Sequence, residues 1–261
     1  MCELSREISV VRTAVRQAGA AIMRIAAEHY SQAAQADRSI VTLADIEADK
    51  ILRDTLTSEF ADYGWLSEET KDMPGRFERS RVWIVDPMDG TREFVMKNPE
   101  FVVSVALVEN GEPVLGVIYN PSTDDLYEAT IGNGAKLNGN PIGCDHGLDG
   151  KPVVEVSASD VAKGRFEHLE SVVDLRPCGS IAYKLARLAA GTCDSTLSIT
   201  PKNEWDIAAG VMIVKEAGGV VTDLDGNDYK FNQKDTLVNG VIAATSEAYE
   251  SIKNIATDSS K

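Results

Sequence analysis

Val82-Trp83-Ile84-Val85-Asp86-Pro87-Met88-Asp89-Gly90-Thr91 begins as four apolar residues and ends on two carboxylates, a glycine and a hydroxyl. The first four have the composition of a buried strand. Polar groups at the end of such a strand are held by it, while the loop that follows stays open to ligand. Pro87 restricts the turn through its fixed φ. Gly90 lets a ligand approach the backbone, so the amides of Gly90 and Thr91 are candidate donors to phosphate oxygens. Asp86 and Asp89 are candidate ligands for a hard cation. Asp, Pro and Gly are also common in ordinary turns, so the run gains its meaning from what surrounds it.

Upstream, Ile8, Val11, Val15, Ile22 and Ile25 recur at helical spacing and predict an amphipathic helix over the first thirty or so residues. The polar stretch 31–39 reads as a loop. Thr42-Leu43-Ala44-Asp45 has the form of a helix start, continued by Ile46, Asp49, Leu52, Leu56 and Phe60. On this local pattern Asp45 is a capping carboxylate. Downstream, Phe101 to Val108 and Pro113 to Tyr119 are β-rich runs joined across Asn110-Gly111, a strong hairpin signal. Leu126 to Thr130 adds a strand and Asn138-Gly139 a further turn. The turn-rich stretch from Cys144 to Pro152 marks a subdomain boundary, giving an N-terminal unit over 1–145 and a C-terminal unit over 146–261. In the second unit, a strand is expected at Val153 to Val156 and a helix over Ile181 to Ala190. Lys202-Asn203-Glu204-Trp205-Asp206 then opens another helix, stopped at Gly218-Gly219. Asp206 falls in its first turn, where a carboxylate complements the helix dipole.

The chain has 261 residues, 43% of them hydrophobic and 26% charged, which suits a folded globular protein with a substantial core. Its net charge of −15 disfavours nucleic-acid backbones and anionic membranes as partners. It also means that a phosphorylated ligand would need cations to offset repulsion. Cys2, Cys144, Cys178 and Cys193 are far apart, with no C-x-x-C pair, so neither a disulfide framework nor a zinc knuckle is indicated. With no basic-then-apolar leader pattern and no apolar run of spanning length, the expected location is the cytoplasm.

Glu68-Glu69, then D-x-x-D-G-T, then W-D at the head of a late helix, in that order, resemble the inositol monophosphatase superfamily of lithium-sensitive, magnesium-dependent phosphatases. The resemblance runs from the first helix almost to the C-terminus. Within the superfamily, DPMDGTREF, NPEFVVSVAL and Glu204-Trp205-Asp206 look most like the bacterial 3′(2′),5′-bisphosphate nucleotidases, which hydrolyse 3′-phosphoadenosine 5′-phosphate. The resemblance implies an α/β fold of alternating helix and sheet layers and a homodimer. It also implies two or three magnesium ions, with manganese able to substitute. Glu68, Asp86, Asp89 and Asp206 match the side-chain ligands, and Met88 the position whose backbone carbonyl joins them. Asp45 and Thr91 match the pair that orients and deprotonates the attacking water, with Glu68 beside them. Gly90, Thr91, Asp89, Asp206 and Ser180 fall at substrate positions, and Arg92 and Lys202 are candidate cations for a second phosphate. Four carboxylates gathered in one place repel one another strongly, so cations are a chemical requirement of such a site.

Two other chemistries use similar residues. Haloacid dehalogenase-type phosphatases carry D-x-D-G-T, with the first Asp as nucleophile; here two residues separate Asp86 from Asp89, out of that register. A non-catalytic metal-binding scaffold would leave Asp45 and Thr91 without a task. Among substrates, inositol is disfavoured because inositol-specific relatives place a glutamate seven residues before the W-D aspartate, where this chain has Ile199. Inositol 1-phosphate or a sugar phosphate is the alternative to the nucleotide. Gly179-Ser180-Ile181-Ala182-Tyr183-Lys184 matches the G-S-x-x-K of the nucleotidases loosely, with Lys184 one place late.

Overall fold

The protein was described from a computed structural model covering residues 4–30, 38–70, 72, 74–144, 147 and 150–258. Two helices, α1 (Ser5–Tyr30) and α2 (Arg38–Glu59), pack on each other and on one face of a seven-stranded sheet. The sheet consists of β1 (Gly64–Ser67), β2 (Arg81–Asp89), β3 (Val102–Glu109), β4 (Glu112–Asn120), β5 (Asp125–Thr130), β6 (Ala135–Leu137) and β7 (Asn140–Ile142), side by side in chain order. β1 and β2 are parallel and every later pair is antiparallel. Sequential order follows from the tight turns. Asn110 and Gly111 both take positive φ, as do Asn138 and Gly139, which matches the right-handed twist of the strands each pair joins.

A short helix α3 (Thr91–Val95) follows β2, pinned by Phe94 packing edge-on against Phe101 at 5.3 Å between centroids. The remaining elements are β8 (Val153–Val156), α4 (Ala158–Ala162), β9 (Asp174–Pro177), α5 (Ile181–Ala189), β10 (Ser195–Ser198), β11 (Lys202–Asn203), α6 (Glu204–Glu216), β12 (Val220–Thr222), β13 (Leu237–Val238), β14 (Val241–Ala244) and α7 (Tyr249–Asp258). Five of the strands form a second sheet in the order β12-β14-β10-β8-β9, and β11 pairs with β13.

Strand periodicity explains the layering. On β2 and β3, Trp83, Val85, Val103, Val105 and Leu107 join α1 and α2 in one apolar cluster, while Ile84, Val102 and Ala106 turn the other way and pack with α5 and α6. Val241 and Ala243 of the second sheet close that same middle layer, and Ile242 and Ala244 face α7. The result is helix, sheet, helix, sheet, helix. The middle cluster draws residues from both sides of the stretch 144–152, of which residues 145, 146, 148 and 149 lie outside the described residues. α6 lies close on β4 at Gly116, where a Cβ would come within 2.5 Å of the Ala209 carbonyl oxygen.

Two expectations are corrected. α2 begins at Arg38 rather than at Thr42, so Asp45 is inside the helix and is no cap. Residues 38 and 39 of the expected loop are therefore helical, and 31–37 lie outside the described residues. β2 does not stop at Val85 but continues to Asp89.

Candidate active site

The extension of β2 is what assembles the acidic residues. Asp86 pairs with Ser104 and Asp89 with Val102, so three steps on β2 match two on β3. The extra residue is a β-bulge at Pro87-Met88, where a proline without an amide hydrogen is tolerated. An unbroken strand would send residues three apart to opposite faces. The bulge brings Asp86 and Asp89 to the same one, the face covered by α5 and α6. Met88 sends its side chain into the opposite core, beneath α1 and α2, and its backbone amide donates to Asp86 Oδ1 at 3.0 Å.

Glu68 and Asp206 complete the group. Glu68 follows β1, which lies parallel to β2 and ends beside Asp86. Asp206 is the third residue of α6, where its Oδ2 accepts the Asn203 amide at 2.8 Å. The helix-terminus role read from the sequence is therefore present in the fold. One carboxylate oxygen each from Glu68, Asp86 and Asp206 lie within 4.8 Å of one another, an all-oxygen donor set suited to a hard divalent cation. Asp89 is held differently: its Oδ2 accepts the Ser180 hydroxyl at 2.6 Å and the Ala182 amide at 2.7 Å, which ties it to the start of α5.

The crowding is visible in the acidities. Burial, then the charges of Asp89, Glu68 and Asp206, lift Asp86 well above the usual carboxylate range. Burial together with Asp89 and Glu68 pushes Asp206 up to about 7. Partial desolvation, Glu69 and Asp89 push Glu68 up to about 7. Asp45, only 5% exposed on α2, rises to about 8 through burial and the facing charges of Glu69 and Glu68. One turn on, Asp49 accepts the hydroxyls of Ser67 at 2.5 Å and of Thr70, bracing both ends of the acidic loop.

Glu68, Asp86 and Asp206 line a cleft of about 280 Å³, bounded also by Met88, Asp89, Gly90, Thr91 and Arg92 from one side and by Ser180 and Lys202 from the other. Gly90 sits at φ 101°, and a Cβ there would come within 2.8 Å of the Glu100 carbonyl, so glycine is required where the backbone faces the cleft. Arg92 is exposed at the rim, and Lys202 Nζ donates to Thr200 Oγ1 at 3.1 Å. Asp45 stands behind this wall, beside the Glu68-Glu69 pair.

The cleft also holds residues to which sequence reasoning gave no firm role. Lys184 is buried, donates to the Cys178 carbonyl at 3.3 Å and has its pKa lowered chiefly by burial. Glu93 lies across Gly179, occupying the room a side chain there would need. Arg-Glu-Phe after D-G-T was the available signal for it. Glu204, by contrast, is committed to the fold, accepting the amides of Asn232 at 2.6 Å and Gln233 at 2.7 Å. Ile199 packs against the apolar cluster between the second sheet and α7.

Residues 3–260 match the sequence pattern of the Inositol monophosphatase family. The chain belongs to that family. Over 220 residues it is 36% identical to the inositol-1-monophosphatase of Mesorhizobium japonicum, covering 80% of this chain and 79% of that protein. Over 231 residues it is 33% identical to the 3′(2′),5′-bisphosphate nucleotidase CysQ of Escherichia coli O157:H7, covering 86% and 93%. The crystal structure of the extragenic suppressor protein suhB from Bartonella henselae superposes with a TM-score of 0.82 at 30% identity, over 97% of this chain and all of that one. Membership in the inositol monophosphatase family makes the chain a phosphoric monoester hydrolase of α/β fold. Among the described residues no helix is long and apolar enough to cross a membrane.

Proposed function

We propose that this phosphatase hydrolyses a 3′(2′),5′-bisphosphate nucleotide of the 3′-phosphoadenosine 5′-phosphate kind, with magnesium held by Glu68, Asp86, Asp89, Asp206 and the Met88 carbonyl. The observation that carries the reading is the convergence of Glu68, Asp86 and Asp206 in a cleft ringed by Arg92, Lys184 and Lys202. Magnesium, when bound, offsets the phosphate charge and lowers the pKa of the attacking water. The rest falls to the chain. The amides of Gly90 and Thr91 hold phosphate oxygens, the Thr91 hydroxyl orients the water, and Asp45 receives its proton, for which a pKa near 8 is well matched to neutral pH. Attack is in line on phosphorus, and no residue becomes phosphorylated. Arg92 and Lys202 meet the second phosphate, and Ser180 fixes Asp89 at the junction of the 1–145 and 146–261 units. The working form is a cytoplasmic homodimer with two or three magnesium ions, inhibited by lithium.

Ile199 supports the nucleotide over inositol, since an alkyl side chain packed into an apolar cluster offers no acceptor to a ring hydroxyl. The second reading, inositol 1-phosphate, is favoured by the similarity to the Mesorhizobium japonicum enzyme. A turnover panel of 3′-phosphoadenosine 5′-phosphate, inositol 1-phosphate and fructose 1,6-bisphosphate with magnesium separates them. Preference for the first by kcat/KM is expected. Comparable efficiency on inositol 1-phosphate moves the assignment to the second reading.

A further inference from the structure

Ser104 is 1% exposed, on β3, and its hydroxyl has no hydrogen-bond partner among the described residues. An orphaned hydroxyl in an apolar setting is costly, and a serine placed there needs a reason. Its position supplies one. Ser104 is the direct cross-strand partner of Asp86, so the two side chains share a face with Cβ atoms roughly 5 Å apart. Around them on that face Ile84, Val102, Ala106 and Ile118 are apolar. Asp86 is thus the polar side chain set against Ser104, and its Oδ1 already accepts the Met88 amide.

We propose that Ser104 is a positioning residue for the metal centre: its hydroxyl donates to the Asp86 carboxylate when that group ligates a divalent cation. The proposal rests on Asp86 being a cation ligand, as argued above. A carboxylate that turns one oxygen to a cation keeps lone pairs for outer donors, and such donors fix its orientation and sharpen its affinity. In the cation-free protein the hydroxyl has no such task. The two states therefore respond to its removal with opposite sign, which a purely structural serine would not do.

The test compares the full chain with Ser104→Ala and Ser104→Cys, the second a near-isosteric change to a weak donor. Mn2+ binding is measured by calorimetry and thermal unfolding is followed in chelator and in Mn2+. Ser104→Ala is expected to melt no lower than wild type in chelator, yet to bind Mn2+ at least about tenfold more weakly, with Ser104→Cys in between. Undiminished Mn2+ affinity in Ser104→Ala overturns this proposal alone, as does an equal loss of melting temperature with and without Mn2+. Failure of the wild-type protein to bind Mn2+ overturns the metal-site reading, and this proposal with it.

Discussion

Glu68 and Arg92 line the same cleft and carry opposite charges. Glu68 is exposed at the end of β1, so Glu68→Gln is expected to fold normally and to lose turnover by orders of magnitude at fixed magnesium. Steady-state kinetics beside a circular dichroism melt checks both halves. Arg92 lines the cleft, and the proposed function gives it the second phosphate. Arg92→Ala is expected to raise KM for 3′-phosphoadenosine 5′-phosphate by about ten- to a hundredfold, the worth of a charge-assisted hydrogen bond of about 1.5–3 kcal/mol. KM for a simple monophosphate should change little. Equal effects on both substrates would remove Arg92 from substrate recognition.

Among the elements, β2 and α6 decide the geometry. The bulge at Pro87-Met88 places Asp86 and Asp89 on one face, and α6 presents Asp206 to them from above. α6 reaches that position because Gly116 lets its backbone sit directly on β4. Gly116→Ala would drive a methyl against the Ala209 carbonyl and push the helix away. The expected cost is about 1–3 kcal/mol, a fall in melting temperature of roughly 3–10 °C, with weaker magnesium affinity as Asp206 retreats. Melts in chelator and in magnesium measure both effects. The strand, the turn glycine and the late helix were legible in the residues 82–91 and 202–219. The bulge was not, because it is a mismatch between two strands and periodicity reports on one. The local pattern Thr42-Leu43-Ala44-Asp45 gave Asp45 as a cap for a related reason, and only the resemblance gave it the water-activating role: the acidic loop that Asp45 faces is some twenty residues away. Lys184 and Glu93 were hard to assign because they come together only where Glu93 meets the Gly179 backbone just ahead of α5.

For the molecule as a whole, the acidic cluster couples stability to pH and to cations. Folded values of about 7 for Glu68, Asp206 and Glu204 and about 8 for Asp45 stand against about 4 in an unfolded chain. Between roughly pH 4 and 8 the native state therefore holds more protons than the unfolded one, and stability falls as pH rises through that window. The cation-free protein is expected to melt lower at about pH 8 than at about pH 5.5. Saturating magnesium should restore about 5 °C or more at the higher pH and less at the lower, because it binds the ionised ligands. Calorimetric scans at both values, with and without magnesium, test the sign. The layered architecture was legible as a class from the motifs taken together, whereas the order of strands in the second sheet depends on long-range pairing that no local pattern reports.

The most direct test of a cation-run phosphatase is phosphate release from 3′-phosphoadenosine 5′-phosphate by the purified protein, first in excess chelator and then with magnesium restored. The account predicts no turnover in chelator and full recovery on addition of magnesium. An undiminished rate in chelator would contradict it.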